Sequence, residues 1–145
     1  MNLIDALRAS ASGLSAQRLR MNVLASNLAN ANTTRTADGG PYRRRDVVFA
    51  AQSADPRFGD VLHAQLHGHL TVVKVAGVVE DGRPLPRRHD PGHPHADADG
   101  YVTLPNVQVV EEMVNMITAS RSYEANLAAV RATKTMAQKA LEIGK

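Results

Sequence analysis

The chain has no cysteine and no tryptophan, and only two phenylalanines and three tyrosines. Without cysteine there is no disulfide and no thiolate metal site, and the compartment stays open, since exported and cytosolic proteins alike do without them. Scarce aromatics remove the side chains with the largest burial area. Packing must rest on Leu, Val, Met and Ala, which suit close helix–helix contact better than a thick globular core. Proline is missing from both ends: all seven prolines fall between Pro41 and Pro105. No stretch approaches the ~18 apolar residues of a membrane span. The N-terminus lacks the basic start, apolar run and small-residue cleavage site of a secretory signal. These absences alone read as a soluble, cytosolic chain. A strong charge of one sign is missing too. Its 17 basic and 14 acidic residues leave a net +3, too small and too dispersed for a nucleic-acid footprint.

What is present divides into three zones. In residues 1–35, Leu7, Leu14, Met21 and Leu28 recur every seven positions, with Ile4, Ala11 and Ala25 in the complementary places and Arg18 as the exception. That heptad predicts a helix over residues 3–31 packed in a coiled-coil seam, about 44 Å long. Asn2 is its expected N-cap, and the Asn30–Asn32 stretch before Thr33 and Thr34 its stop. In residues 107–145, Met113, Met116, Ser120, Tyr123, Leu127, Val130, Lys134, Ala137 and Leu141 alternate by three and four, a second heptad broken at Ser120 and Lys134. This predicts a helix of about 55 Å, with Asn106 as N-cap and Gly144 as its end. Residues 36–106 are the insert. Residues 70–80 form the best strand candidate, with Gly77 marking a bulge or bend, and 46–50 and 101–104 are further strand candidates. Residues 83–100, with four prolines and a His/Asp cluster, predict an extended, irregular loop. The expected fold is therefore mainly α with a small β-hairpin-type insert between long terminal helices packed as a coiled coil. Two helices bury only one stripe each against one another, so the remaining apolar stripes call for other copies.

Catalytic and metal chemistry find little support. No nucleophile elbow, Gly-rich phosphate loop or metalloprotease motif occurs, so no enzyme, small-molecule substrate or cofactor is expected. His89, Asp90, His93, His95, Asp97 and Asp99 offer six possible ligands, but Pro91 and Pro94 interrupt them and no helix sets two His one turn apart. No metal is expected there. The run Arg43-Arg44-Arg45 precedes Asp46 and reads as a solvated turn or an inter-subunit salt bridge. Met113, Met116 and Met136 read as ordinary helix-stripe residues.

Two motifs carry a family resemblance. Ala25-Ser26-Asn27-Leu28-Ala29-Asn30-Ala31-Asn32-Thr33 resembles the N-terminal signature of the flagellar rod and hook axial proteins, and Ala119-Ser120-Arg121-Ser122-Tyr123-Glu124-Ala125-Asn126 resembles their C-terminal signature. Three further stretches narrow the resemblance to the proximal-rod members of that family: Asp38-Gly39-Gly40-Pro41-Tyr42-Arg43-Arg44, residues 90–102, and Pro105-Asn106-Val107 with Glu112-Met113-Val114. Residues 51–70, including His63, His67 and His69, resemble nothing familiar. The resemblance implies a structural subunit whose terminal helices form the coiled-coil core of a hollow axial structure, with the insert facing outward. It implies partners among other copies, other rod proteins and the flagellar type III export apparatus, and a place in the periplasmic rod reached without a cleaved signal peptide. This replaces the cytosolic reading. It also implies inter-subunit roles for the asparagines at 22, 27, 30 and 32, against the local reading of Asn as a helix-end residue. Arg121 is open between pairing with another copy and a solvated face. A free coiled-coil adaptor or chaperone-like protein is the alternative that heptads alone leave standing.

Overall fold

The structure, a computed structural model, describes residues 3–53 and 71–143. The expectations at Asn2, Leu70 and Gly144, and the stretch from His63 to His69, lie outside the described residues. The elements are α1 (Leu3–Ala29), β1 (Arg45–Ser53), β2 (Thr71–Glu80), β3 (Arg87–His89), β4 (Tyr101–Thr103) and α2 (Val109–Ile143). The described residues thus form two long helices, one near each end, and two small antiparallel strand pairs between them. No described helix is long and apolar enough to cross a membrane.

α1 ends where Asn30 turns its side chain back on the helix. Its Nδ2 donates to the carbonyl of Ser26 at 2.9 Å, and Thr33 Oγ1 donates to its Oδ1 at 3.1 Å. The backbone carbonyls that the helix end leaves open are met by Ala31 N–H on Leu28 at 3.3 Å and Thr33 N–H on Asn30 at 3.0 Å. Gly39 and Gly40, both with φ near +80°, then close a turn in which Thr36 N–H donates to Gly40 at 2.8 Å. Only glycine occupies that backbone region at no steric cost.

β1 and β2 pair in register from Arg45–Glu80 to Ser53–Thr71, with a shift where Val48 faces Gly77 and Phe49 faces Val75. The extra residue is Ala76, so the bulge falls beside Gly77 as expected. Residues opposite one another share a face, which sets Val47 with Val78, Phe49 with Val75 and Ala51 with Val73. The hairpin lies against α1. There Val47 is buried, Phe49 and Val75 are half-buried, and Val73 N–H donates to Ser12 Oγ at 3.1 Å. The segment expected to be wholly irregular holds a strand: Arg87–His89 pairs with Tyr101–Thr103. Two arginines and a histidine on an exposed strand carry no hydrophobic alternation, so periodicity could not reveal it.

The two helices pack against each other over much of their length. Two contacts define their register. Asn27 Nδ2 donates to Glu112 Oε2 at 2.8 Å. At Gly13, a Cβ would lie 3.1 Å from the Asn126 side-chain amide. Asn27 and Gly13 are fourteen residues apart on α1, and Glu112 and Asn126 fourteen apart on α2 in the opposite order, so the helices are antiparallel. The same register sets Leu3 across from Met136. Residues 137–143 therefore run past the first described turn of α1 for about 10 Å.

The intrachain contact line is not the apolar line expected from the sequence. On α1 the buried residues are Gly13, Ala16, Leu24 and Asn27. Leu7, Leu14, Met21 and Leu28 sit one position further round and are half-buried, while Ala11 and Ala25 are exposed. On α2 the buried residues are Glu112, Ala119 and Thr133, at seven-residue multiples. Met116, Tyr123, Val130 and Ala137 are half-buried in the complementary positions, as are Ser120 and Leu127, whereas Met113 and Leu141 are 51% and 74% exposed. Close approach decides this line. Glycine, alanine and hydrogen-bonded polar residues let the backbones come near, which a row of leucines would prevent.

Substitution at Gly13 tests this packing. Gly13→Ala should be close to neutral, because ~1 kcal/mol of helix propensity offsets a small displacement of Asn126. Gly13→Val overfills the site and should cost about 1–3 kcal/mol, read by chemical denaturation followed by circular dichroism.

Candidate functional site: the junction of helices and insert

The most heavily bonded place in the chain is where the end of α1, the entry to β1, the exit from β2 and the start of α2 meet. Asn27, 0% exposed, is at its centre. A neutral amide offers two N–H donors and an oxygen with two lone pairs, and every one is used within the chain. Nδ2 donates to Glu112 and to the carbonyl of Arg45, both at 2.8 Å. Oδ1 accepts from Arg45 N–H at 3.0 Å and from Tyr42 Oη at 2.9 Å. The amide thereby takes the place of a neighbouring strand for the first residue of β1. The inter-subunit role implied for Asn27 is overturned, because no group is left over for a neighbour. Asn30 likewise bonds locally. Asn22 and Asn32 are exposed, Thr33 is half-buried beside Asn30, and Ala29 is exposed.

Arg44 is the second hub. It is buried, and so is its partner Glu112, which is 0% exposed. Nε donates to Glu112 Oε1 at 2.7 Å, and a terminal nitrogen lies 3.0 Å from Asp46 and 3.5 Å from Asp81. Burial alone would lower the affinity of the guanidinium for its proton, but the hydrogen bonds to Glu112 and Asp46 outweigh it and push the group further toward the charged form. The solvated or inter-subunit reading of the arginine run therefore fails at its middle member. Arg43 is exposed, and Arg45 pairs with Glu80 at 3.5 Å with both side chains about half-exposed. Alternation explains the difference, since Tyr42 and Arg44 point inward and their neighbours outward.

Asn106 completes the junction and corrects a second expectation. It does not cap α2. The helix begins at Val109, and the carbonyl of Gln108 takes the first helical bond, from Glu112 N–H at 3.0 Å. Asn106 instead ties three segments together: Oδ1 accepts from Arg44 N–H at 2.8 Å, and Nδ2 donates to the carbonyls of Asp81 and Arg83 at 3.2 and 3.3 Å. Arg83 N–H holds the Asp81 carboxyl below the ordinary carboxylate range, a shift that burial opposes and the Arg83 guanidinium at 2.8 Å reinforces.

On α2 the C-terminal signature divides. Asn126 lies in the helix contact against Gly13 and donates to Ser122 at 2.9 Å. Ser120 bonds Glu124 at 3.4 Å, Tyr123 is half-buried, and Arg121 is exposed and makes no ion pair with the described residues. The His/Asp loop is built around Asp97, which accepts from Asp99 and Tyr101 N–H and pairs with Arg87. Among the described residues no group of three or more His, Asp or Glu is placed to hold a metal.

Comparison with known proteins matches this sequence to a family. Residues 7–35 match a family model described as the flagella basal body rod protein, and residues 98–143 one described as the flagellar basal body rod FlgEFG protein C-terminal. The flagellar basal-body rod protein FlgC of Bacillus subtilis is 45% identical over 100% of both chains. That of Borreliella burgdorferi is 44% identical over 99% of this chain and 98% of its own, and that of Salmonella typhimurium 44% over 99% of each. The chain belongs to the FlgC family of flagellar basal-body rod proteins. It is a structural subunit of the basal-body rod and not an enzyme, as FlgC membership implies.

Reasoning from the sequence missed Arg44, Glu112 and Asn106 as a unit. The one available signal was Glu112, in line with Ala119, Asn126 and Thr133 at intervals of seven, and apolar periodicity does not see such a line. Two outcomes test the junction. Arg44→Met strands the buried Glu112 carboxylate and should cost about 3–5 kcal/mol in urea unfolding, whereas the exposed Arg45→Met should cost less than about 1 kcal/mol. The depressed Asp81 carboxyl contributes stability that is complete above the unfolded value of about 3.9 and is lost as pH falls through the lower folded value. Stability measured against pH should therefore decline below about pH 4, and Asp81→Asn should flatten that decline.

Proposed function

We propose that this rod subunit works in the proximal rod and polymerises through its two terminal helices, which form the coiled-coil core of a hollow shaft. The insert faces outward. The shaft transmits rotation for motility and gives passage to distal subunits, and the subunit itself reaches the periplasmic rod through the flagellar type III export apparatus without a cleaved signal peptide. Its partners are other copies and other rod proteins.

The observation that carries this reading is the apolar surface of α2 that the chain leaves uncovered. Val110, Met113, Val114 and Ile117 follow one another at helical spacing and are each more than half-exposed. Met136, across from Leu3, is exposed, and so are Leu141 and Ile143 beyond the first described turn of α1, the last at 86%. An apolar stripe of this kind finds its partners in neighbouring copies. Leu7, Leu14, Met21 and Leu28, half-buried beside the intrachain contact, extend the stripe, as does Leu127 on α2. Heterologous contacts of this sort generate rings and helical stacks rather than closed dimers.

Deleting the gene should remove the rod, hook and filament, and the intact gene should restore them while a chain lacking residues 1–31 should not. A complete flagellum in the deletion strain would favour the adaptor alternative. In the same strain, Leu14→Asp or Leu28→Asp should abolish motility by setting a charge in a packed stripe. Swarming at the wild-type rate in either variant would remove that residue from the assembly surface.

A further inference from the structure

The contact between α1 and α2 is poor in large apolar side chains. Its buried members are Gly13, Ala16, Leu24 and Asn27 on one helix and Glu112, Ala119 and Thr133 on the other. Both helices also repeat every seven residues. A slide of one heptad would therefore bring similar surfaces together again, and hydrophobic contact alone separates the two registers weakly.

One polar contact and one close packing contact do separate them. In the observed register Asn27 reaches Glu112, whose second oxygen holds Arg44, and Gly13 leaves room for Asn126. After a slide of seven residues toward the C-terminus of α2, Asn27 would face Ala119, Glu112 would lose Asn27, and Arg20 would arrive where Gly13 made space for Asn126. The slide would also carry Leu3 from Met136 to Ile143, covering the apolar end of α2 that the observed register leaves exposed.

We propose that Asn27 and Glu112, anchored by Arg44, form a register lock that holds the helix pair in the one alignment leaving residues 138–143 uncovered for a neighbouring subunit. The lock itself follows from the intrachain geometry; the use of the uncovered end rests on the polymerisation reading above. A buried polar pair fixing the alignment of two heptad helices is the best-attested role for such groups. It also explains why a chain with so small a core spends a buried arginine, a glutamate and an asparagine at this point.

The chain has no cysteine, so two introduced thiols report on register alone. Ala16→Cys with Tyr123→Cys faces across the helices in the observed register, and Ala16→Cys with Val130→Cys faces across after a slide of one heptad. In dilute purified full-length chain under mild oxidation, the first pair should form an intramolecular disulfide at least ten times faster than the second. Adding Asn27→Leu and Glu112→Leu should bring the two rates within about threefold while helix content by circular dichroism is retained. Glu112→Gln, which keeps one acceptor oxygen where Asn27 and Arg44 use two, should leave a preference between those of the parent and the Asn27→Leu/Glu112→Leu chain. Equal rates in the otherwise unsubstituted chain would overturn the lock, even if the doubly substituted chain fails to fold. So would an undiminished preference in a folded Asn27→Leu/Glu112→Leu chain. If the polymerisation reading is wrong but the lock right, the disulfide preference persists and motility is indifferent to the variants.

Discussion

A guanidinium and a carboxylate removed from water must stay together, because either one alone in the interior is far more costly than the pair. Arg44 and Glu112 are such a pair, and the rest of the structure is arranged around keeping them joined. Glu112 is in the first turn of α2, where a negative charge also suits the helix N-terminus. Arg44 is at the threshold of β1, with its backbone N–H held by Asn106 and its carbonyl by Asp81 N–H at 2.7 Å. Asn27 brings the end of α1 to the other oxygen of Glu112. One ion pair thereby fixes the start of a helix, the start of a strand and the end of another helix relative to each other.

This concentration of polar bonding at one end contrasts with the thin packing elsewhere. The helices meet through small residues, the hairpin covers α1 with a single apolar face, and several valines of that hairpin stay largely exposed. A chain of 145 residues with this little interior is marginal by itself. Its stability and shape make more sense as those of a part than of a whole. The junction sets the geometry, and in the assembly proposed above neighbouring subunits supply the burial that the isolated chain lacks.

The two halves of the family signature play different parts in this plan. Asn27 and Asn126 both face inward and both set the helix contact, one through its hydrogen bond to Glu112 and one by fitting beside a glycine. Arg121 and Asn32, from the same motifs, face solvent. A motif that reads as one block in sequence is thus divided by the helix into residues that hold the chain together and residues available to others. Helical periodicity makes that division, since positions one apart differ by about 100° around the axis.

Some features needed nothing beyond the order of residues. Proline-free, heptad-spaced ends and a proline-rich middle determined two long helices around a small β insert, because helix formation and its interruption are local. The bulge beside Gly77 and the stop of α1 at the asparagines were legible for the same reason. The site was less so. Which line of each helix would form the contact depended on how closely two backbones approach, and a single position of rotation exchanged the leucine stripe for glycine, alanine and polar residues. Which of three consecutive arginines would be buried depended on strand alternation meeting a carboxylate 68 positions away. Asn106 looked like a cap and became a strut for a similar reason, its nearest partner being Arg44. Local chemistry was decided by the sequence. Only the tertiary structure chose among faces, because that choice is made by partners distant along the chain.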